Sequence, residues 1–314
     1  MTLTEMIVHN RALFFTTVAF VSLMVGSFLN VVIYRLPAMM ERAWREGMEE
    51  FARQTAGETG VEENQSLTSS GTAPDGQSDV PAGSTEPFNL AVPGSRCPSC
   101  GSAIRPWQNI PVISYLMLRG KCAGCKVSIP ARYPIIEFTT MMLSLIVVWQ
   151  LGPTTQALLG LVVTWFLIAM SMIDFDHQLL PDSLTLPLMW VGLLAALIPV
   201  FTDLRSAVIG AAAGYMILWT IYQLFRLVTG KEGMGFGDFK LLAAIGALLG
   251  WQALPAVILL SSLVGAVVGI TLILITGRDK NVPIPFGPYL AAAGWIAMLW
   301  GDSIASWYSN ALLV

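Results

Sequence analysis

The chain has 314 residues, of which 55% are hydrophobic and only 12% are charged, and its mean hydropathy is +0.66. Soluble domains carry about 25% charged residues, so this composition excludes an ordinary soluble protein and indicates a membrane protein. The net charge of −3 argues against a nucleic acid as the main partner.

Eight apolar runs follow one another along the chain, and most are near the ~20 residues that a helix needs to cross a bilayer. They predict an all-α polytopic membrane protein with about eight transmembrane helices. The first run leads directly into charged sequence and lacks a small-x-small cleavage site, so we expect a retained span rather than a cleaved signal peptide. The sixth run is short. The predicted spans are 12–34, 133–151, 155–173, 183–201, 206–228, 239–251, 254–276 and 286–301.

Lysine and arginine are distributed unevenly between the predicted loops. Fifteen of the 17 lie on one side of the membrane, most of them in the loop that follows the first span, and only Arg11 and Arg205 lie on the other. By the positive-inside rule, the large loop is cytoplasmic and both termini face the periplasm. We expect the basic residues beside the membrane to contact anionic lipid headgroups.

The loop pattern divides the chain into three regions: a first transmembrane helix at 1–35, a cytoplasmic insertion at 36–132, and a seven-helix bundle at 133–314. Within the insertion, 54–90 has no Lys or Arg and six acidic residues, so it is predicted to be a disordered linker. The segment "MMERAWREGMEEFARQ" just before it has a mixed-charge face. It is predicted to be either a surface helix that extends the first span or an interfacial amphipathic helix.

All four cysteines fall in two CxxC pairs, Cys97 with Cys100 and Cys122 with Cys125. This spacing is typical of a zinc ribbon with four thiolate ligands, and a reducing cytoplasm disfavours disulfides. A redox pair and unmetallated packing cysteines are the alternatives. Four thiolates complete a tetrahedral shell, so the pattern predicts a structural zinc ion and a zinc-ribbon-like domain at about 95–130, inserted between the first two spans.

Acidic residues at membrane depth are costly and suggest a functional site. Asp174 closes the third span and Asp238 opens the sixth, so the topology places both at one membrane face. Two close carboxylates share one proton, and such a pair can activate a water molecule while it polarises a carbonyl. The glycines of "GMGFGD" permit close backbone approach beside Asp238. The alternative role for Asp238 is a simple helix N-cap.

Four other ionisable residues lie within the predicted spans or beside them. Asp182 follows Pro181 and is expected to cap a helix. Asp176 and His177 are expected to be solvated in a short loop. Glu137 lies one turn inside the second span, where a hydrogen bond within the bundle and a catalytic role are both open.

Several motifs together resemble the type IV prepilin peptidases, which belong to the GxGD intramembrane aspartic proteases. They are "GSFLNVVIYRLP" near the start, the cysteine-containing stretch at 97–137, "SMIDFDHQLLPD" and "GFGDFK", and they cover nearly the whole chain apart from the acidic linker. The resemblance implies a bacterial inner-membrane enzyme that removes the basic leader of type IV prepilins or type II secretion pseudopilins. It further implies methylation of the new N-terminus with S-adenosylmethionine, and it places the catalytic aspartates at Asp174 and Asp238.

The methyltransferase site is not identified by any sequence motif, because no GxGxxG follows a predicted strand in the insertion. The candidate regions are Gly26–Asn30, the cysteine domain and Glu137. The loop at 105–111 is polar, but packing explains it equally well. Two other hypotheses fit the residues alone: a proton- or ion-coupled transporter that uses the acid pair as its relay, and a membrane scaffold whose zinc domain binds a partner.

Overall fold

The structure is a computed structural model that describes residues 10–59, 88–97, 99–104, 110–231, 233–276 and 285–312. Within these residues the regular structure is helical, apart from two isolated β-bridges between loop residues. The predicted all-α class is therefore confirmed. The helices are α1 (Arg11–Thr59), α2 (Ile113–Met117), α3 (Arg132–Leu151), α4 (Thr155–His177), α5 (Asp182–Ala195), α6 (Leu204–Thr229), α7 (Phe236–Leu249), α8 (Leu254–Thr276) and α9 (Gly287–Leu312), with a short 3₁₀ turn (Trp251–Ala253) before α8.

Each of the eight apolar runs overlaps one of these helices. The remaining helix, α2, lies outside the apolar runs. In the described residues, five helical segments are long and apolar enough to cross a bilayer. Four lie in α1, α3, α4 and α6, and the fifth is Trp251–Thr271, which joins the 3₁₀ turn to most of α8. The protein is therefore a multi-pass membrane protein. The helices α5 and α7 have 14 residues each and extend for only about 21 Å. The fourth predicted span is thus shorter than expected, because its helix ends at Ala195.

Internal contacts divide the chain into two compact units, 1–33 with 131–314, and 34–130. Helix α1 continues without a break through Pro37 to Thr59. This continuity favours the surface helix that extends the first span over a separate interfacial helix. Residues 54–59 of the predicted linker are helical, because they form the last turns of α1, so the predicted start of the linker is wrong. Most of the remaining linker lies outside the described residues, so its disorder remains a prediction, as do the boundaries of the three regions.

Helix α7 is surrounded by protein, with nearly every residue from Asp238 to Leu248 buried. Its neighbour α6 approaches it through glycines: a Cβ built on Gly210 would lie 2.2 Å from the carbonyl oxygen of Gly246, and one on Gly214 would lie 2.6 Å from that of Leu242. Small residues let helix backbones touch inside a membrane. The short sixth run is therefore an internal helix whose position is fixed by backbone contact.

The α6–α7 contact predicts a clear cost for adding one methyl group. Gly210→Ala should destabilise the protein by about 1–3 kcal/mol, because the backbone of α7 must move to admit the new Cβ. The measurement is the midpoint of thermal unfolding of the purified protein in detergent.

The matched control is Gly47→Ala in the exposed part of α1, where a Cβ would meet nothing within 4 Å. That substitution should not lower the midpoint, because alanine favours a helix more than glycine does. Equal midpoints for the two variants would contradict the packing described for α6 and α7.

Candidate active site and candidate metal centre

Asp174 lies in the last turn of α4, and its side chain is buried. The helix ends three residues later because Gln178 adopts a left-handed backbone (φ 53°) and donates its N–H to the Asp174 carbonyl. The Asp174 carboxylate accepts a hydrogen bond at Oδ2 from the backbone N–H of Gly287, with a length of 2.9 Å. This bond joins the end of α4 to the beginning of α9.

Asp238 lies in the first turn of α7 and is also buried. Gly235 is the N-cap residue, so Asp238 does not occupy the N-cap position. The N-cap hypothesis for Asp238 is therefore wrong. In the described part of the chain, its Oδ1 atom is buried without a hydrogen-bond partner. Such an oxygen is costly, and in a native protein it indicates a functional position or a bound water molecule.

Leu180 packs between the chain segments that carry the two carboxylates. A Cβ on Gly237, the residue before Asp238, would lie 2.6 Å from the Leu180 Cβ, and one on Gly287 would lie 3.2 Å from the Leu180 Cδ1. Gly287 donates a hydrogen bond to Asp174 at the end of α4, and Gly237 lies at the start of α7. These two helix ends therefore meet at Leu180. The Asp174 carboxylate is near enough to Asp238 for a charge on one to affect the other. The structure thus places both aspartates in one site.

The glycines before Asp238 have two different roles. Gly237 must lack a side chain because Leu180 fills the space beside it. Gly235 is less crowded: a Cβ there would meet only the Asp238 Oδ2 atom, at 3.8 Å. The sequence pattern predicts room beside the carboxylate, and the structure provides it at Gly235 while it uses Gly237 for packing.

Asp176 and Asp182 are both bound in ion pairs. Arg132, the first residue of α3, holds Asp176 with both guanidinium nitrogens, one of them at 2.8 Å. Lys240 of α7 contacts the two carboxylate oxygens of Asp182 at 2.6 and 2.7 Å. Asp176 lies in the last turn of α4 and not in the predicted loop. Its side chain is only partly exposed, and its pairing was not predicted. The capping role predicted for Asp182 is wrong, because Pro181 is the N-cap residue and no side-chain cap is formed.

Each ion pair lies two residues along the chain from a carboxylate of the site. Asp176 follows Asp174 on α4, and Lys240 follows Asp238 on α7. The first pair ties α4 to α3, and the second ties α7 to α5. Sequence analysis missed both pairs, as it missed Gly287, because the partners are 44 to 113 residues apart. His177 is exposed, in agreement with its expected solvation, but it is the last residue of α4 and does not lie in the predicted loop.

The four cysteines lie together in the unit at 34–130. Their sulfur atoms are all within 4.8 Å of one another, and the Sγ atoms of Cys97 and Cys125 are 3.8 Å apart. A tetrahedral ion with bonds of about 2.3 Å to sulfur holds its ligands about 3.8 Å apart. The cluster therefore fits a four-coordinate metal ion, and the cysteines form no disulfide.

The two cysteine pairs sit in turns of the same construction. The N–H of Cys97 donates a hydrogen bond to the Ser102 carbonyl, and the N–H of Cys122 donates one to the Val127 carbonyl. Backbone N–H groups of Cys125 and Gly124 lower the pKa of the Cys122 thiol to about 6. These groups stabilise a thiolate, which is the form that binds metal. Backbone hydrogen bonds thus hold both cysteine turns in place.

Two candidate regions for methyl transfer have a packing role in the structure. A Cβ on Gly26 would lie 2.8 Å from the Cα of Glu137, so α1 and α3 cross closely here. Asn30 donates hydrogen bonds to the carbonyls of Gly26 and Tyr133. Glu137 is buried at this crossing. The third candidate region is the cysteine domain, whose described cysteines form the candidate metal centre. The polar loop at 105–111 lies largely outside the described residues.

Comparison with known proteins decides the family. Residues 20–151 match the bacterial peptidase A24 N-terminal domain, and residues 161–270 match the type IV leader peptidase family. A prepilin leader peptidase/N-methyltransferase of Aeromonas salmonicida is 52% identical over 96% of both chains. This chain belongs to the type IV leader peptidase family. Proteins of the same name are 50% identical in Stutzerimonas stutzeri, over 98% of both chains, and 52% identical in Pseudomonas aeruginosa, over 91% of this chain and 90% of that one. No solved structure matches the chain.

Membership of the leader peptidase family confirms the resemblance found in the sequence. The relatives are named as enzymes, which favours the peptidase hypothesis over the transporter and the scaffold. Their names do not identify any residue. The roles of the two aspartates and of the four cysteines therefore remain proposals that rest on the geometry above.

The ion pairs beside the site predict a measurable coupling. A double-mutant cycle with Lys240→Met and Asp182→Asn should give a coupling of no more than about 1 kcal/mol, because the Asp182 side chain is 56% exposed and water screens the pair. The measurement is the unfolding midpoint of the four proteins in detergent.

The same cycle with Arg132→Met and Asp176→Asn should give a larger coupling. The guanidinium group of Arg132 binds Asp176 in a bidentate manner, which is more favourable than the contact of a single ammonium group. In addition, the Asp176 side chain is only 23% exposed, so water screens this pair less. A coupling of zero for Arg132 and Asp176 would contradict a stabilising role for this pair.

Proposed function

We propose that this chain removes the leader peptide of type IV prepilins and methylates the new N-terminus, as the names of its relatives indicate. One observation supports the peptidase activity above all: two buried aspartates, Asp174 and Asp238, share a single site at neighbouring helix ends. In a family of leader peptidases, a carboxylate pair of this kind is the natural catalytic apparatus.

The proposed reaction follows the division of labour between paired carboxylic acids. One proton is shared by the pair, which titrates as a unit. The ionised carboxylate accepts a proton from a water molecule, and the water oxygen attacks the carbonyl carbon of the scissile bond. The protonated partner donates its proton to the carbonyl oxygen. The amide nitrogen then leaves as an amine after it receives a proton from the pair.

Different parts of the site support this chemistry. The N–H of Gly287 holds Oδ2 of Asp174 in a fixed orientation. Oδ1 of Asp238 is buried and has no hydrogen-bond partner in the described residues, so a water molecule or the substrate would satisfy it. The open space at Gly235 lets an extended peptide approach. The first turn of α7 also favours negative charge beside the reacting carbonyl.

The proposed setting is the bacterial inner membrane. We place the large loop in the cytoplasm and both termini in the periplasm, because of the Lys and Arg distribution. Both aspartates then lie at the cytoplasmic face, where a prepilin leader is accessible. Pseudopilins of type II secretion are proposed as further substrates, and membrane lipids as surrounding partners.

Two cofactors are part of the proposal. Cys97, Cys100, Cys122 and Cys125 would hold a structural zinc ion, whose four thiolate ligands leave no place for a catalytic water. S-adenosylmethionine would supply the methyl group. We assign no residue to its binding, because Gly26, Asn30 and Glu137 are engaged in helix packing.

The aspartate pair predicts complete loss of cleavage when either acid is neutralised. Asp174→Asn and Asp238→Asn should each reduce leader removal from a synthetic prepilin more than about a thousandfold, because neither amide can exchange the catalytic proton. The measurement is the rate of leader release in detergent. Methylation of a pre-cleaved pilin should persist in both variants.

The persistence of methylation is the control for correct folding. Asp176→Asn is a second control, because it retains the same helix end and leaves both proposed catalytic acids intact. Substantial cleavage by either Asp174→Asn or Asp238→Asn would contradict the proposed mechanism.

The hydrogen bond to Asp174 predicts that one added methyl group on α9 impairs cleavage. A Cβ on Gly287 would lie 2.6 Å from the Asp174 Oδ2 atom, so Gly287→Ala should displace the carboxylate. The rate of leader removal should fall about a hundredfold, as expected for a displacement near 1 Å.

Gly301→Ala is the matched control on the same helix, because a Cβ there meets nothing within 4 Å. It should cleave at the normal rate. The positioning role of Gly287 would be wrong if the two alanine variants had equal rates and equal unfolding midpoints.

The cysteine cluster predicts one zinc ion per chain in the purified protein. Cys97→Ser should reduce the zinc content strongly, because an alcohol replaces a thiolate ligand, whereas Ser99→Ala should not. The measurement is metal content by inductively coupled plasma mass spectrometry. Zinc-free wild-type protein of full activity would contradict the structural role.

A further inference from the structure

A cavity of about 500 Å³ lies between the beginning of α1 and the end of α3. Phe14, Phe15 and Trp149 form part of its apolar lining, and Arg11 is the one charged residue in that lining. Cavities of this size hold small organic ligands. The cavity lies within the unit that contains both aspartates, but none of its lining residues belongs to the aspartate site.

Helix crossing explains why the cavity exists. At Gly26, α1 and α3 touch closely. Arg11 is 15 residues before that contact, or about 22 Å along the helix. Near Arg11, residues of the two helices line the cavity. The chain turns sharply there, because Gly152 has a left-handed backbone (φ 66°), and no atom lies within 4 Å of the place where its side chain would be.

Arg11 lies at the depth of phospholipid headgroups. No charged residue lies between Arg11 and Arg35, which are about 36 Å apart along α1. The hydrocarbon core of a bilayer is about 30 Å thick, so the two arginines reach the two headgroup layers. Trp149, which is 79% exposed, lies at the same end, as tryptophan commonly does at a membrane interface.

Arg11 is available to a ligand. Its side chain makes no hydrogen bond or ion pair with any described residue, and the residue is exposed. An arginine in this state binds a phosphate with two parallel hydrogen bonds. The aromatic pair Phe14 and Phe15, with ring centroids 5.8 Å apart, provides an apolar surface below it. Arg11 provides a positive charge at the headgroup depth, and Phe14 and Phe15 provide an apolar surface nearer the membrane interior. This arrangement matches a phospholipid, in which a phosphate is joined to acyl chains.

We propose that this cavity binds one membrane phospholipid, with its phosphate on Arg11 and an acyl chain along Phe14, Phe15 and Trp149. The lipid fills the gap that α1 and α3 leave as they separate. The site is independent of the proposed peptidase activity, since it lies at the end of α3 opposite to Arg132, which binds Asp176 beside the aspartate pair.

Photochemical labelling tests this proposal. The full chain is reconstituted into phosphatidylcholine vesicles with a trace of phosphatidic acid that carries a diazirine on one acyl chain, and labelled peptides are mapped by mass spectrometry. The wild-type protein should be labelled at 148–153. Arg11→Gln should reduce this labelling about tenfold, the loss expected for one charge-assisted contact.

Arg205→Gln is the matched control. Arg205 is the second residue of α6. It lies at the same end of the bundle, since Gln156 at the start of α4 donates a hydrogen bond to the Val200 carbonyl nearby, but it does not line the cavity. Its substitution should leave the labelling unchanged. Leader cleavage by Arg11→Gln should equal that of the wild type if that activity is confirmed, and an unchanged unfolding midpoint provides the folding control otherwise.

Three results would overturn the lipid site. The first is equal labelling of the wild type and Arg11→Gln. The second is equal labelling by a diacylglycerol with the same chains and no phosphate, which would show that the headgroup is not recognised. The third is displacement of the label by inorganic phosphate, which would make a free anion the ligand.

Discussion

The hydrogen bond from the Gly287 amide to Asp174 is the contact on which the candidate site depends. A carboxylate at the end of a transmembrane helix needs a donor, because an unsolvated charge is costly at that depth. The donor comes from the beginning of α9, 113 residues later in the chain. This one hydrogen bond therefore holds the beginning of α9 against the end of α4. Leu180 packs between Gly287 and Gly237 at the same place.

The second half of the site depends on backbone packing rather than on polar contacts. Helix α7 is short and buried on all sides, and glycines of α6 lie directly against its backbone. This arrangement leaves α7 little freedom to move, so Asp238 is held beside Asp174 although its Oδ1 makes no hydrogen bond within the described residues. Rigid surroundings of this kind are how proteins retain an unfavourable polar group at a functional position.

The sequence predicts the parts of this protein that follow local rules. The apolar runs predict the helices, and the CxxC spacing predicts the cysteine cluster. The order of the spans predicts that Asp174 and Asp238 lie at the same membrane face. Contacts between distant residues are not readable in the same way. Gly287 looks like an ordinary helix start, and the pairing of Asp176 depends on Arg132, which is 44 residues away. Asp182 fails as a predicted cap because local sequence does not reveal that Pro181 takes the N-cap position.

The central claim is that Asp174 and Asp238 act as one catalytic unit. The most direct test is the affinity of a prepilin-derived peptide whose scissile bond is replaced by a hydroxyethylene group, which imitates the tetrahedral intermediate. Its hydroxyl should improve binding at least about a hundredfold over the same peptide without the hydroxyl, and the improvement should disappear in Asp174→Asn and in Asp238→Asn. An improvement that survives in either variant, or none in the wild type, would contradict a paired site.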